Sequence, residues 1–194
     1  MLDNLKDYKI FLASKSPRRR ELLQLLRVPF TVLTIGGIDE SFPDDIPLEE
    51  VPQFVSDKKA DIYCTHLKDK EIVITADTMV IADDRIMGKP NDAHEAADML
   101  KTLSGKTHRV VTGVTIASRG FKKSFSSITY VTFGSLTDEE IQYYINNYLP
   151  FDKAGAYGIQ EWIGAVAVSE IRGSYYNVMG LPVHHLFKEL LTIK

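Results

Sequence analysis

One cysteine, Cys64, is all the thiol this chain has, which excludes a disulfide framework and a thiol metal cluster. No apolar stretch approaches the roughly 20 residues that a membrane-spanning helix needs. The first residues, MLDNLKDYK, carry no secretory pattern. A reducing cytoplasm and no membrane partner are the expectation. The net charge is only −3, and no basic stripe alternates with aromatics, which argues against a nucleic-acid binder. The phosphate loop G-x-x-x-x-G-K-[ST], a post-strand G-x-G-x-x-G, G-x-S-x-G and H-E-x-x-H are all missing. Repeats, low-complexity tracts and linkers are missing too. A length of 194 residues allows one domain, or one domain with two lobes. Hydrophobic residues make up 44%, an ordinary share for a packed core.

The stretch that is unusual is Ile10 to Leu26, IFLASKSPRRRELLQLL. An apolar run stops at Ser14-Lys15-Ser16, and Pro17 opens a helical pattern with Ser16 as its N-cap. Leu22, Leu23, Leu25 and Leu26 supply its apolar face. Arg18, Arg19 and Arg20 then occupy the first turn. A helix N-terminus carries about half a positive charge, so each cation there costs on the order of 0.3–1 kcal/mol. Either the patch is simply solvated, or an anion docks on it, phosphate being the first choice. The stretch alone leaves both open.

Along the chain, Thr31–Ile35 reads as a short strand, followed by Gly36-Gly37 and an acidic loop from Asp39 to Asp45. Asp44 and Asp45 suit a solvated loop. Glu40, just behind a strand end, is the better candidate for a cation or a catalytic water. Residues 48–67 have a helical pattern in which Lys58 and Lys59 read first as a solvated pair. Glu71–Ala82, EIVITADTMVIA, is a nearly continuous apolar run, as in a strand buried on both faces. Asp77 interrupts it. A buried carboxylate must meet a metal, a cation or water. At the carboxyl end of a central strand it would open into the ligand crevice of an α/β sheet.

Asp83-Asp84-Arg85 reads as a hairpin turn, Gly88-Lys89-Pro90 as a loop, and Asp92 with Glu95 as a capping box for the helix Ala93–Leu103. His94 suits the surface. Strands follow at 109–117 and 124–133, joined as a hairpin, and a second capping box, Thr137 with Glu140, starts a helix to about Asn147. Residues 151–162 form a loop whose Gly155 and Gly158 allow close backbone approach, and Gln160 offers both an amide donor and an acceptor. Residues 165–171 read as the last strand, 173–177 as a loop, and 183–191 as a closing helix packed by Leu186, Leu190 and Leu191. His184 and His185 suit its surface. This alternation predicts an α/β fold around a mixed sheet.

The chemistry that recurs is cationic side chains on loops beside isolated carboxylates. Arg18, Arg19, Lys59 and Lys89 would neutralise a polyanion, and Asp77 with Glu40 would hold a divalent cation or a water. That inventory suits phosphoryl transfer or phosphoanhydride hydrolysis.

With these motifs in view the chain resembles the Maf-type nucleoside triphosphate pyrophosphatases of the inosine-triphosphatase-like superfamily. The resemblance rests on ASKSPRR (13–19), ITADTMV (74–80), GKP (88–90), DKAGAYGIQ (152–160) and GSYYNVMGLP (173–182), which span nearly the whole chain. It implies a mixed twisted sheet flanked by helices, in one domain with two lobes around a central cleft. It implies hydrolysis of a nucleoside triphosphate to the monophosphate and pyrophosphate with a divalent cation, magnesium or manganese. Asp77 would be the catalytic acidic residue. Arg18, Thr78 and Gln160 would occupy the positions linked to nucleotide choice. Ser14, Arg19, Lys59 and Lys89 would meet phosphates, and Glu40 with Asp77 the metal. The ADT and GIQ versions resemble the branch acting on dTTP and UTP. Gln160 suits the N–H flanked by carbonyls of those bases, and its amide flip would also tolerate cytosine. The 7-methyl-GTP branch, typically SDQ where this chain has ADT, is the rival, and a non-catalytic nucleotide-binding regulator of cell division is the other alternative. Glu161-Trp162 after GIQ departs from the small residues many members carry there. Similar proteins suggest a homodimer.

Overall fold

A computed structural model describes residues 2–194. Its strands are β1 (Lys9–Ala13), β2 (Phe30–Leu33), β3 (Glu71–Ala82), β4 (Arg85–Met87), β5 (Thr107–Ala117), β6 (Lys122–Phe133) and β7 (Val168–Arg172). Its helices are α1 (Pro17–Gln24), α2 (Val51–Cys64), α3 (Ala93–Leu103), α4 (Asp138–Tyr148), α5 (Trp162–Ala167), α6 (Tyr175–Met179) and α7 (Val183–Leu191). The strands run in the order β2-β1-β3-β5-β6-β7, with β4 paired to β3. β1 is parallel to β2 and β3, whereas β4 and β7 pair antiparallel, so the sheet is mixed as expected. Two compact units divide the chain: one holds the chain up to Asp77, Thr112–Ser127 and Gly180–Lys194, the other Thr78–Val111 and Ile128–Met179. No described helix is long and apolar enough to cross a membrane.

In the first unit, β1 pairs with β3 from Lys9↔Glu71 to Leu12↔Ile74. Ser56, Val55 and Ala60 of α2 are buried. Gly113 of β5 is what lets α2 come this close, since a Cβ there would lie 2.2 Å from the Gln53 backbone nitrogen. α1 is shorter than its leucine run: Leu22 and Leu23 are buried, but Leu25 is the C-cap and exposed. A helix of two turns can turn only part of that run inward. Leu191 in α7 is likewise exposed, while Leu186 and Leu190 are buried.

In the second unit, Leu100, Leu103, Phe133, Ile141, Tyr144 and Ile163 form the heart of one apolar cluster. Asp83 and Asp84 both have positive φ, the geometry of the two-residue hairpin turn that favours Asp, Asn and Gly. Thr137 and Glu140 form the expected capping box. At Asp92 only half of the expected box exists. Its side chain accepts from the Glu95 amide, but Glu95 turns back to the Asn91 amide instead. The sequence expectation of a strand over 165–171 is corrected: residues up to Ala167 are helical and β7 starts at Val168. The loop expected over 173–177 is corrected too, since α6 occupies most of it. Short apolar runs suit either state, and packing on the cluster decided these two.

His108 lies inside the same unit, 2% exposed, with Nε2 2.8 Å from the Tyr157 hydroxyl and ring contacts to Phe133 and Tyr157. Its Nδ1 is buried with no partner among the described residues. Burial pulls its pKa from 6.5 down to about 4. The unfolded chain therefore takes up this proton at higher pH than the folded one. The folded state loses stability as pH falls from 6.5 towards 4, by about 3 kcal/mol in all if this group acts alone. Urea melts at pH 7, 5.5 and 4 should show this loss, and His108→Gln should flatten that part of the profile.

Candidate active site

Asp77 is buried within β3, 12% of its side chain exposed. It lies mid-strand rather than at the strand's end. It stands three residues beyond Ile74, the last residue of β3 paired to β1, so the register places it level with the Ser14–Ser16 loop. The β1–β3 pairing stops short of that level.

Across from it, α2 delivers Lys59. The ammonium Nζ is 2.8 Å from Asp77 Oδ1 and 2.9 Å from Glu40 Oε1, with the lysine side chain 12% exposed. The reading of Lys58 and Lys59 as a solvated pair is thereby corrected. Each holds one of two consecutive acids: Lys58 Nζ lies 2.7 Å from Asp39 Oδ2 and also donates to the Ser41 carbonyl. Those bonds, with Ser41 donating to Asp39, hold the Asp39 carboxyl well below its ordinary pKa. The acidic loop is thus pinned to α2 at two adjacent points.

α1 supplies the cations. Ser16 caps it by accepting from the Arg19 amide, and Ser14 Oγ accepts from the Ser16 amide at 3.2 Å. Arg18 and Arg19 are half-buried and Arg20 exposed. Arg19 Nε donates to the Gly180 carbonyl at 2.8 Å. Loss of water around Arg19 lowers its pKa, and Arg18 acts the same way, while Asp77 and Glu40 oppose the shift. The first unit therefore brings Arg18, Arg19, Lys59, Glu40 and Asp77 into one electrostatic group. Gly180 was not legible as a partner, because any residue type can offer a carbonyl.

Thr78, Lys89 and Gln160 belong to the second unit. Thr78 is half-buried on β3, while Lys89 and Gln160 are exposed on loops. Gly155 ties these loops together: its amide donates to the Gly88 carbonyl at 3.0 Å, and its φ of +68° belongs to the left-handed region. The loop carrying Gln160 rests on a buried charge network. Lys153, 8% exposed, lies 2.7 Å from Asp152 and 3.0 Å from Glu161 Oε1. Glu161 Oε2 accepts from the Tyr144 hydroxyl, which itself accepts from the Gly158 amide at 3.0 Å. Burial, then the Glu161 carboxylate, raises the Tyr144 pKa. The departure at Glu161 is therefore structural, and Trp162 beside it packs on Tyr143 at 4.8 Å between ring centres.

Among the described residues no group of three or more His, Cys, Asp or Glu could cage a metal. The donors present do fit a small hard cation. Two carboxylates converge within 3 Å of one ammonium, and magnesium is commonly held by one or two carboxylates plus water and substrate phosphates.

The family model for Maf-like proteins matches residues 9–193. The chain belongs to the Maf family. It is 53% identical over 190 residues to a protein of Phocaeicola vulgatus named dTTP/UTP pyrophosphatase, covering 98% of both chains. A Porphyromonas gingivalis protein of the same name is 53% identical over 192 residues, 98% of this chain and 96% of that one. Among solved structures, the Staphylococcus aureus Ham1 protein overlays 64% of this chain and 71% of its own, with a TM-score of 0.47 and 12% identity.

Within this Maf protein the Lys153 network yields a stability test. Lys153→Met leaves the Glu161 carboxylate without its cation and should cost about 3 kcal/mol in a denaturant melt. Adding Glu161→Gln should recover part of that loss.

Proposed function

We propose that this protein hydrolyses dTTP and UTP to the monophosphate and pyrophosphate in the cytoplasm, with its two units as lobes of one Maf domain. CTP or modified pyrimidine triphosphates would be tolerated by the Gln160 amide. The relationship just described, half of all residues identical across nearly the full length of proteins so named, is the observation that carries this reading. The charged group around Asp77 supports it chemically.

In this reading Asp77 accepts a hydrogen bond from the attacking water and keeps its lone pair aimed at the α-phosphorus. The new oxygen–phosphorus bond forms as the bond to the bridging α–β oxygen breaks. The electron pair leaves on pyrophosphate, and the water's proton passes through Asp77 to solvent. Arg19, Lys59 and Lys89, with Ser14 donating a hydrogen bond, meet the phosphate charge. Lys59 also keeps Asp77 and Glu40 apart in charge and fixed in place. A magnesium or manganese ion, held by Asp77 and Glu40, would raise the acidity of water and neutralise phosphate charge. Arg18, Thr78 and Gln160 set the choice of base.

The test is pyrophosphate release with magnesium from a panel of dTTP, UTP, CTP, dATP, GTP and 7-methyl-GTP. dTTP and UTP should be turned over fastest, and Asp77→Asn should lower kcat about 100-fold or more without unfolding the protein. No release from dTTP or UTP, or half the wild-type rate in Asp77→Asn, overturns the reading.

A further inference from the structure

α2 and β3 touch through polar groups at two levels. The upper one is Lys59 with Asp77. Three residues earlier on α2 and two residues earlier on β3 lies the second. There Ser56 Oγ and Thr75 Oγ1 are 3.0 Å apart, and Thr75 Oγ1 donates to the Ser56 carbonyl at 2.8 Å. Ser56 and Lys59 share a helix face, and Thr75 and Asp77 share a strand face. The two contacts are thus rungs of the same pair of elements, about 4.5 Å apart along the helix.

The lower rung continues inward. Ser56 Oγ donates to Thr115 Oγ1 at 3.1 Å, and Thr115 Oγ1 donates to Asp57 Oδ1 at 2.8 Å. Ser124 Oγ donates to the same carboxylate oxygen. Ser56, Thr75 and Thr115 are each 0% exposed. A hydroxyl has one proton to give, and a carboxylate only accepts. Asp57 therefore takes the Thr115 proton and Thr115 takes that of Ser56, while the single Thr75 proton goes to the Ser56 carbonyl. Each of these three hydroxyls thus has an acceptor for its one proton. Such hydrogen bonds add a directional constraint to the packing of α2 on the sheet, because they weaken steeply when their geometry is lost.

We propose that Thr75, Ser56 and Thr115, anchored on Asp57, are positioning residues. They index α2 on β3 so that the Lys59 ammonium stands between Asp77 and Glu40. The functional half of this proposal rests on the reading of Asp77 as catalytic. The geometric half stands without it.

The experiment uses the full chain in four forms: wild type, Thr75→Val, Thr75→Ser and Thr75→Val in a Lys59→Gln background. The first readout is the ¹⁵N NMR signal of the Lys59 ammonium. It should be lost or strongly shifted in Thr75→Val and restored in Thr75→Ser. The second is steady-state pyrophosphate release from dTTP. Thr75→Val should lower kcat about tenfold with KM within about twofold, since small misplacements of reacting groups act on the chemical step. Thr75→Ser should recover most of that loss, and Thr75→Val should change kcat by less than about twofold when Lys59 is already Gln. An unchanged Lys59 signal in folded Thr75→Val overturns the proposal, whatever the activity. So does equal damage from Thr75→Val with and without Lys59. If wild type releases no pyrophosphate, the functional reading fails and the NMR signal alone decides the positioning claim. Should Thr75→Val not fold, Thr115→Val takes its place under the same criteria.

Discussion

A lysine ammonium shared between two carboxylates is the constraint from which the first unit's site follows. Lys59 is nearly enclosed, and an enclosed ammonium is tolerated only where its charge is answered. Asp77 and Glu40 answer it. Because those acids come from a strand and a loop, the one helical side chain ties three segments together. Lys58 repeats the bond one residue earlier with Asp39, so the acidic loop is held at two consecutive residues. Gly113 makes the whole arrangement sterically possible, since any larger residue would push α2 off the sheet.

The second unit uses the same device for another purpose. Lys153 is buried against Glu161, and Glu161 is bonded to Tyr144, which holds the Gly158 amide. The exposed Gln160 therefore lies between Gly158 and Glu161, both of which are tied into this network. In both units a lysine largely shielded from water is answered by carboxylates. It fixes an acid, and the acid fixes a loop.

This arrangement also bears on how a polyanion would be met. Arg19 has given one donor to the Gly180 carbonyl, and Lys59 is engaged by two carboxylates. Neither is a loose cation waiting for phosphate. They are held at fixed positions, and a bound triphosphate would find charge that needs little reorganisation on its arrival.

Residue order alone settled the local elements wherever a strong signal was present. The Pro17 helix with its Ser16 cap, the full length of β3, the Thr137 box and the closing helix over 183–191 were all legible, because cap chemistry and hydrophobic period act within a few residues. That the isolated Asp77 needs a partner was legible for the same kind of reason: a carboxylate in an apolar strand must be answered. Which partner it takes was not. Lys59 looked like one of two solvated lysines until α2 was laid on the sheet, and the 165–177 segment changed state once packing was available to decide it. The hydroxyl chain from Thr75 to Asp57 carried no signal at all, since serine and threonine are common in helices and strands alike. Contacts between residues 18 to 59 positions apart depend on how α2, β3 and β5 are stacked, and only the folded chain sets that distance.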